Sequence, residues 1–230
     1  MTGPHSVNSF QVRVGIFEAH QSIIDGYQYR LGMTPGVQVV GTARNGQDLT
    51  TLLTQMPIDV LIMDVGMPMA IDNPQPFPIL HVIPELTEKY PELSILIISM
   101  ITDRVLINVL LDSGARGYIL KEENAIIEQL GSVVLSVASG SNYVSDRVFD
   151  LLSRGKSPKG STPLTPRQLQ ALSLAAAHPE WSGVELAREL GVAHSTTRNL
   201  LAGAYVRLGV NNLSAALAKA EKMGLLTRRH

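Results

Sequence analysis

The stretch DVLIMDVGMP (59–68) is an apolar run that ends in an acidic side chain and, four positions later, a proline. Residues 60–63 are all apolar, without alternation of polar side chains. Such runs are typical of strands in a parallel sheet, because helices cover both faces of that sheet. Asp64 follows the run directly, so we expect it at the carboxyl end of a buried strand.

Four further apolar runs have the same character: VRVGIF (12–17), VQVVGTA (37–43), LSILIIS (93–99) and GYILK (117–121). Apolar residues at three- and four-residue spacing predict helices between and after them, at about 20–32, 46–55, 79–90, 103–113 and 124–138. Five strands that alternate with five helices predict a doubly wound α/β domain with a five-stranded parallel sheet.

Four polar side chains lie at the carboxyl ends of these strands: Glu18, Asp64, Ser99 and Lys121. Ligands bind at this edge of doubly wound sheets, so the four are expected to converge there. Carboxylate oxygens are ligands that Mg²⁺ prefers, and a carboxylate can also attack phosphorus. A lysine and a hydroxyl suit the transferred phosphoryl oxygens. A single carboxylate here is equally well explained as a helix cap, whereas the four together favour phosphoryl transfer.

Three motifs within residues 12–140 resemble those of response-regulator receiver domains: LIMDVGMP (61–68), IIS (97–99) and GARGYILK (114–121). The resemblance implies that Asp64 is the phospho-acceptor and that Lys121 pairs with the phosphoryl group. It also implies that Ser99 follows the phosphate and that Tyr118 changes rotamer with it. Glu18 and Asp64 are then the expected ligands of Mg²⁺.

Two features depart from the receiver pattern. FEAH (17–20) supplies Glu18 and then Ala19, where receivers usually carry a second acid that ligates Mg²⁺. Its absence predicts weaker metal binding and slow or absent phosphorylation. Further along, MAIDNPQPFP (69–78) replaces a shorter turn. This segment is interpreted either as a tolerated surface insertion or as the source of a replacement metal ligand, Asp72.

A second, all-α domain is predicted after a linker. Residues 141–162 form the predicted linker, because SRGKSPKGSTP (153–163) is almost free of apolar side chains. The domain that follows spans residues 163–228, with four helices predicted at about 165–177, 182–190, 194–208 and 212–224. The tight turn at Gly191 between the second and third of these helices predicts a helix-turn-helix.

Three motifs of this domain resemble the LuxR/NarL-type DNA-binding domain, in order and spacing: LTPR (164–167), ELARELGV (185–192) and RLGV (207–210). The resemblance implies a homodimer that binds double-stranded promoter DNA. Arg198 is then expected to contact guanine or a phosphate, and Asn199 to read adenine. Thr196 and Arg207 are expected to contact phosphates, which orient the protein without specifying sequence.

The last helix of this family commonly supplies the dimer contact, here through Leu213 and Leu217. Packing of that helix within its own chain is the alternative interpretation. Two residues of the preceding helix, Ala202 and Gly203, stand where polar or basic side chains are common. They predict weak binding of a monomer to DNA, and they motivate the alternative that DNA binding has been lost.

Charge and composition narrow the function classes. Residues 161–230 carry 8 Lys and Arg against 4 Asp and Glu, whereas residues 1–160 carry 11 Lys and Arg against 16 Asp and Glu. This distribution favours contact of only the C-terminal domain with a polyanion. The absence of cysteine excludes disulfides, Cys-ligated zinc and thiol catalysis. No membrane span or signal peptide is expected, and the cytoplasm is the expected location. The histidines, His81 among them, lack metal-ligand spacing and are predicted at the surface or in helix caps.

Together these patterns predict a transcription regulator of a two-component system, phosphorylated on Asp64 by a sensor histidine kinase. No enzymatic activity on a metabolite is expected. One alternative is a phosphorylation-independent regulator, controlled by a ligand, a partner or its abundance, which Ala19 motivates. The other is an interaction module that no longer binds DNA, motivated by Ala202 and Gly203.

Overall fold

The structure, a computed structural model, describes residues 11–153 and 164–226. Over residues 11–153 it has six strands: β1 (Val12–Phe17), β2 (Val37–Ala43), β3 (Val60–Met63), β4 (Ser94–Ser99), β5 (Gly117–Leu120) and β6 (Tyr143–Val144). The helices of the same range are α1 (Gln21–Gly32), α2 (Gly46–Gln55), α3 (Ile79–Lys89), α4 (Arg104–Asp112), α5 (Asn124–Glu128), α6 (Leu130–Ala138) and α7 (Asp146–Ser153). The strands are parallel and lie in the order β2-β1-β3-β4-β5-β6. The predicted α/β fold with a parallel sheet is confirmed.

Helices cover both faces of the sheet, as the unbroken apolar strands predict. Ile62 of β3 packs with Ile24 of α1 and Val134 of α6 on one face. Its neighbour Leu61 packs on the other face, in the cluster that contains Ile83 of α3. Successive side chains of a strand point to opposite faces, so β3 is buried on both sides. Among the described residues, no helix is long and apolar enough to cross a bilayer.

The sheet has one strand more than predicted, and that strand lies in the predicted linker 141–162. Strand β6 pairs in parallel with β5, and Ser145 after it is buried and donates a hydrogen bond to Glu123. Helix α7 then packs Val148 into the first domain. The linker prediction was therefore wrong for residues 141–153, because a two-residue strand is too short to leave a periodic signal. Residues 154–162, the rest of the predicted linker, lie outside the described residues, as does residue 163.

We predict that Gly117→Ala displaces β6 and lowers the free energy of unfolding by about 1–3 kcal/mol. A Cβ at this buried glycine would lie 2.5 Å from the backbone oxygen of Tyr143 and 2.8 Å from Leu96 Cδ1. Urea unfolding measures the change. Gly26→Ala is the matched control: this exposed glycine of α1 has nothing within 4 Å of its Cβ, so alanine should stabilise by about 0.5–1 kcal/mol. Equal stability of Gly117→Ala and the parent would contradict the pairing of β6 with β5.

The inserted segment 69–78 folds back as a short hairpin-like loop. Met69 N–H donates to the Gln75 carbonyl at 2.9 Å, and Phe77 N–H donates to Met67 at 2.7 Å. The Phe77 ring is buried edge-on against Phe17, with 5.0 Å between the ring centroids. The insertion is therefore an ordered surface loop anchored by one aromatic side chain.

The second domain has four helices within residues 164–226: α8 (Pro166–Ala177), α9 (Gly183–Glu189), α10 (His194–Leu208) and α11 (Leu213–Lys222). Helix α8 begins with Thr165 as its cap, completed by a reciprocal hydrogen bond with Gln168. Gly191, at φ +63°, makes the turn between α9 and α10 that the helix-turn-helix pattern requires. The predicted all-α second domain is confirmed over these residues.

The two domains pack against each other through a continuous apolar cluster. Leu225 and Leu226, which follow α11, are buried and line a small cleft together with Leu80 of α3 and Leu106 of α4. Helix α3 also contacts α8, and Ala176 of α8 lines the same cleft. This contact places the end of the second domain beside the carboxyl edge of the sheet.

Candidate functional site

The carboxyl ends of four adjacent strands form the candidate site. Glu18 follows β1, Asp64 follows β3, Ser99 ends β4 and Lys121 follows β5. These strands are neighbours in the sheet, so their ends meet at one edge. Asp64, Ser99 and Lys121 line one cavity of about 780 Å³, and Glu18 is bonded to Lys121 beneath it. The structure thus brings together all four residues that the sequence singles out.

Lys121 forms ion pairs with both carboxylates of the site. Its Nζ lies 2.5 Å from Glu18 Oε2 and 2.8 Å from Asp64 Oδ2. Glu18 is only 1% exposed, whereas the Asp64 side chain retains some exposure toward the cavity. Asp64 is therefore the carboxylate that a phosphoryl donor in the cavity can reach.

The electrostatics favour the charged forms of Glu18 and Lys121. Burial alone would raise the pKa of the Glu18 carboxyl, but hydrogen bonds from Lys121 and from the backbone and ring of His20 outweigh burial and lower it. Burial would likewise lower the pKa of Lys121. The nearby carboxylates of Asp64 and Glu18 outweigh burial and raise this pKa. One ammonium therefore compensates two carboxylates, which leaves a net negative charge at the pocket.

The residues present fit a weak Mg²⁺ site. Two carboxylates, Glu18 and Asp64, supply oxygen ligands of the kind that Mg²⁺ binds together with retained waters. Ala19 offers only its backbone carbonyl, which already accepts a hydrogen bond of 3.1 Å from Arg44 Nε. Lys121 also occupies one oxygen of each carboxylate. A cation at this position must compete with the ammonium, with one carboxylate fewer than receivers usually provide.

Asp72, the candidate replacement ligand, is exposed at the tip of the inserted loop. It is not among the residues that line the cavity with Asp64. The loop is held by its own backbone hydrogen bonds, including a reciprocal pair between Ala70 and Asn73 on either side of Asp72. The structure therefore favours the interpretation as a surface insertion.

Ser99 and Tyr118, the predicted switch residues, are both buried. Ser99 Oγ accepts a hydrogen bond of 3.4 Å from the Ile101 backbone N–H. The Tyr118 hydroxyl donates to the Ile101 carbonyl at 2.9 Å, and burial raises the pKa of the phenol above its usual value. Both side chains thus hold the β4–α4 loop at Ile101.

The end of the second domain also lines the cavity, which the sequence patterns did not predict. Glu221, Lys222 and Met223 line the cavity together with Asp64 and Lys121. Nothing local in the sequence signals this contact, since it arises from docking of the two domains. The end of α11 therefore lies across the cavity from Asp64.

The predicted DNA-contact residues lie on the outward face of α10. Thr196, Arg198, Asn199 and Arg207 are all exposed, whereas Thr197 is buried against the domain. At about 100° per residue, Asn199 lies near the centre of this face. Arg198 flanks it on one side, and Thr196 and Arg207 flank it on the other. All four side chains are therefore accessible from the same side of the domain.

Gly203 has a structural explanation. A Cβ at this position would lie 2.6 Å from Gln168 Nε2, so the glycine allows α10 to approach α8 closely. It is half-buried rather than a vacant place on the DNA-facing surface. Gly203 is therefore not an argument for lost DNA binding. Ala202 is exposed and remains an argument for that alternative.

The proposed dimer residues lie at different depths. Leu217 is buried within its own chain, in the apolar cluster that also contains Leu225. Leu213 is half-buried against the same cluster. Ser214 and Ala218 form the exposed side of α11. A dimer contact of α11 in this conformation uses that exposed side, and the role of Leu213 and Leu217 stays a prediction.

His81 is placed differently from its prediction. It was expected at the surface or in a cap, but only 5% of it is exposed, and it lies between α3 and the second domain. The prediction was wrong because the groups around His81 come from both domains, so no spacing in the sequence connects them.

Comparisons with known proteins agree with this geometry. The response regulator receiver domain family matches residues 14–131. The transcriptional regulatory protein MctR of Rhizobium johnstonii is 28% identical over 220 residues, which cover 95% of this chain and 97% of MctR. The oxygen regulatory protein NreC of Staphylococcus aureus is 27% identical over 225 residues, covering 94% and 99% of the two chains.

Solved structures of similar fold include RcsB of Salmonella enterica serovar Typhimurium bound to promoter P1flhDC in the presence of phosphomimetic BeF3⁻. Its TM-score is 0.63 at 23% sequence identity, and the alignment covers 92% of this chain and 99% of the RcsB chain. The RcsB complex with promoter rprA gives a TM-score of 0.62. The fold and its acidic pocket define the first domain as a receiver. Because the family match spans just over half of the residues, the chain belongs to the response regulator receiver domain family.

Proposed function

We propose that this protein is a bacterial transcription regulator that binds double-stranded DNA and is controlled by phosphorylation of Asp64. The observation that carries the proposal is the placement of Asp64, which lies at the end of β3, reaches an open cavity and pairs with Lys121 at 2.8 Å. We assign residues 12–153 to the receiver and 164–228 to the DNA-binding domain, with the linker between them. A sensor histidine kinase is the proposed phosphoryl donor. A regulator of this kind acts on promoter DNA in the cytoplasm.

The proposed chemistry uses few groups. An Asp64 carboxylate oxygen attacks the phosphorus of the donor, and the bond from phosphorus to the donor's leaving group breaks. Lys121, already at this carboxylate, and the Ser99 hydroxyl then bind the phosphoryl oxygens. Mg²⁺, held weakly by Glu18 and Asp64, would neutralise charge on the phosphoryl group. No enzymatic turnover of a metabolite is proposed.

Intact-mass measurement after incubation with acetyl phosphate and Mg²⁺ tests the phosphorylation directly. The expected result is a single phosphate adduct on the parent that is lost in Asp64→Asn. An adduct that persists in Asp64→Asn, or none on the parent after long incubation, would contradict control through Asp64.

The second domain is the proposed DNA-binding part. Thr196, Arg198 and Asn199 are exposed on one face of α10, and residues 161–230 carry an excess of positive charge. With few cations on this face, one copy should bind weakly and a homodimer more tightly. Homodimerisation, through the exposed side of α11 or through the receiver, is part of the proposal.

We predict that Arg198→Ala weakens binding to the cognate promoter by about 1–3 kcal/mol, roughly 5- to 150-fold. Arg198 is exposed on the flank of α10, where guanidinium contacts to guanine or phosphate are available. Fluorescence anisotropy at two salt concentrations measures both the affinity and its salt dependence. Arg30→Ala in the receiver makes the same charge change and should leave binding unaltered. If Arg198→Ala and Arg30→Ala behave alike, α10 is not the DNA-reading helix.

A phosphorylation-independent regulator is the second candidate, and one observation favours it. Lys121 already neutralises part of the charge of Glu18 and Asp64, and Ala19 provides no carboxylate to attract a divalent cation. In this alternative, the receiver responds to a ligand or a protein partner at the same cavity. The Ala19→Asp experiment in the Discussion separates the two candidates.

A further inference from the structure

A cluster of three side chains connects the two domains at a distance from the phosphorylation pocket. His81 and Glu85 lie one turn apart on α3 of the receiver, and Glu189 ends α9 of the second domain. His81 Nε2 lies 3.0 Å from Glu85 Oε1 and 3.4 Å from Glu189 Oε1. The three potential ligand atoms all lie within 4.8 Å of one another.

Among the described residues, no lysine or arginine forms an ion pair with the two carboxylates of the cluster, Glu85 and Glu189. Two carboxylates this close repel each other unless a cation lies between them. Both glutamate side chains are about half exposed, so an ion from solvent can reach them, while His81 forms the buried floor.

We propose that His81, Glu85 and Glu189 form a zinc site that joins the receiver to the DNA-binding domain. Zn²⁺ binds imidazole nitrogen and carboxylate oxygen at about 2.0–2.2 Å, which places neighbouring ligands of a tetrahedral ion about 3.3–3.5 Å apart. The distances of 3.0 and 3.4 Å from His81 Nε2 are close to that spacing. Water from the exposed side completes the fourth position. Mg²⁺, which prefers an octahedron of oxygens, suits this donor set poorly.

Gln170 of α8 is the positioning residue of this site. Its amide lies 3.1 Å from His81 Nδ1, and its Oε1 accepts a hydrogen bond of 2.9 Å from Arg167. This arrangement leaves the proton of a neutral imidazole on Nε2. Zinc on Nε2 requires the proton on Nδ1 instead, so the Gln170 amide turns over and its oxygen accepts that proton. The turn gives up the hydrogen bond from Arg167, whose exposed guanidinium can be solvated instead, and leaves the imidazole neutral.

Zinc bound at this position would fix the second domain relative to the receiver. Its ligands come from α3 and from α9, so bound zinc ties the receiver to the helix that precedes α10. Thr196, Arg198 and Asn199 remain exposed in this arrangement. Zinc therefore holds one orientation of α10 without covering it. The effect of that orientation on DNA binding rests on the proposed function, whereas zinc binding itself does not.

Isothermal titration of the metal-free full chain with zinc chloride is the test. The expected result is one zinc per chain, with affinity at least tenfold lower in Glu85→Gln and in Glu189→Gln. Both substitutions are isosteric and at exposed side chains, and they lie in different domains, so a loss in both shows that the site bridges the two. Glu180→Gln, an exposed glutamate elsewhere in the second domain, is the control and should bind as the parent does.

A substitution that raises the affinity for zinc distinguishes a zinc site from a contact held only by hydrogen bonds. Gln170→Glu places a carboxylate on His81 Nδ1, which should strengthen zinc binding because metal-bound imidazoles commonly donate to a carboxylate. The proposal is overturned if the parent binds no zinc, or if Glu85→Gln and Glu189→Gln bind it as tightly as the parent. It is also overturned if zinc is lost in Asp64→Asn but kept in Glu189→Gln, since the ion would then lie at the strand ends. His81 would in each case be a hydrogen-bond donor between two carboxylates.

Discussion

Lys121→Met is expected to lower the free energy of unfolding by about 3–5 kcal/mol at neutral pH. Lys121 is the only side chain that forms ion pairs with both Glu18 and Asp64 among the described residues. Methionine preserves the length of the side chain but leaves two carboxylates close together without a cation, and one of them is almost fully buried. The loss of a buried partner costs more than the pair contributes, because the remaining charge stays desolvated.

The pH dependence of this effect follows from the pKa shifts. The pKa of Glu18 lies below its usual 4.5, so its contribution is present above about pH 4.5 and is lost as the pH falls through the lowered value. The pKa of Lys121 lies above its usual 10.5, so its contribution is present below that pH and is lost as the pH rises through the raised value. The stability difference between parent and Lys121→Met should therefore be largest between these limits and shrink in acid.

Urea unfolding at several pH values measures this difference. Lys219→Met, at an exposed lysine of α11, removes the same charge and should change stability by less than about 0.5 kcal/mol. A Lys121→Met protein as stable as the parent at pH 7 would show that the pairs of Lys121 do not hold the site together. A difference that stays the same from pH 7 into acid would show that the charge of the Glu18 carboxylate does not contribute to it.

Ala19→Asp is expected to accelerate phosphorylation of Asp64 by acetyl phosphate at limiting Mg²⁺. Ala19 stands beside Glu18, and an aspartate there restores the acidic pair that receivers usually carry. If the new carboxylate contributes as much as a charge-assisted hydrogen bond, about 1.5–3 kcal/mol, affinity for Mg²⁺ rises roughly 10- to 100-fold. The rate of adduct formation at subsaturating Mg²⁺ should rise in the same proportion.

The measurement is a time course of intact mass across a range of Mg²⁺ concentrations. Ala19→Asn is the matched control, since it adds a side chain of the same size without the charge. Asp64→Asn in the Ala19→Asp background must remove the adduct. Equal rates in Ala19→Asp and the parent would show that the second acid is dispensable here. An adduct on Ala19→Asp alone would favour the phosphorylation-independent regulator.

Much of the fold was predictable because its determinants are local. Strand β3 follows from the four consecutive apolar residues 60–63. Strand β6 was not recognised, since Tyr143 and Val144 are too few to show a period and pair only because β5 lies beside them. The single helix predicted over 124–138 is two helices, α5 and α6, interrupted at Gln129.

The strand-end residues of the candidate site were predictable from the sequence, but the bonds between them were not. Residues at strand ends can be placed from the strands alone, because parallel strands share one carboxyl edge. The sharing of Lys121 between Glu18 and Asp64 could not be inferred, since side chains of separate strands adjust to each other only after folding. Leu217 shows the same limit: helical spacing places it on the apolar side of α11, but not whether its own chain or a second copy covers it.

The amino-acid sequence alone determined the two-domain architecture, the identity of the strand-end residues and the turn at Gly191. Each depends on hydrophobic periodicity or on backbone preferences that act over a few neighbouring residues. The tertiary structure alone decided that the end of the second domain faces Asp64, and that His81 meets Glu189 across 108 positions of the chain. These contacts depend on how two folded surfaces fit together, and no short stretch of sequence carries that information.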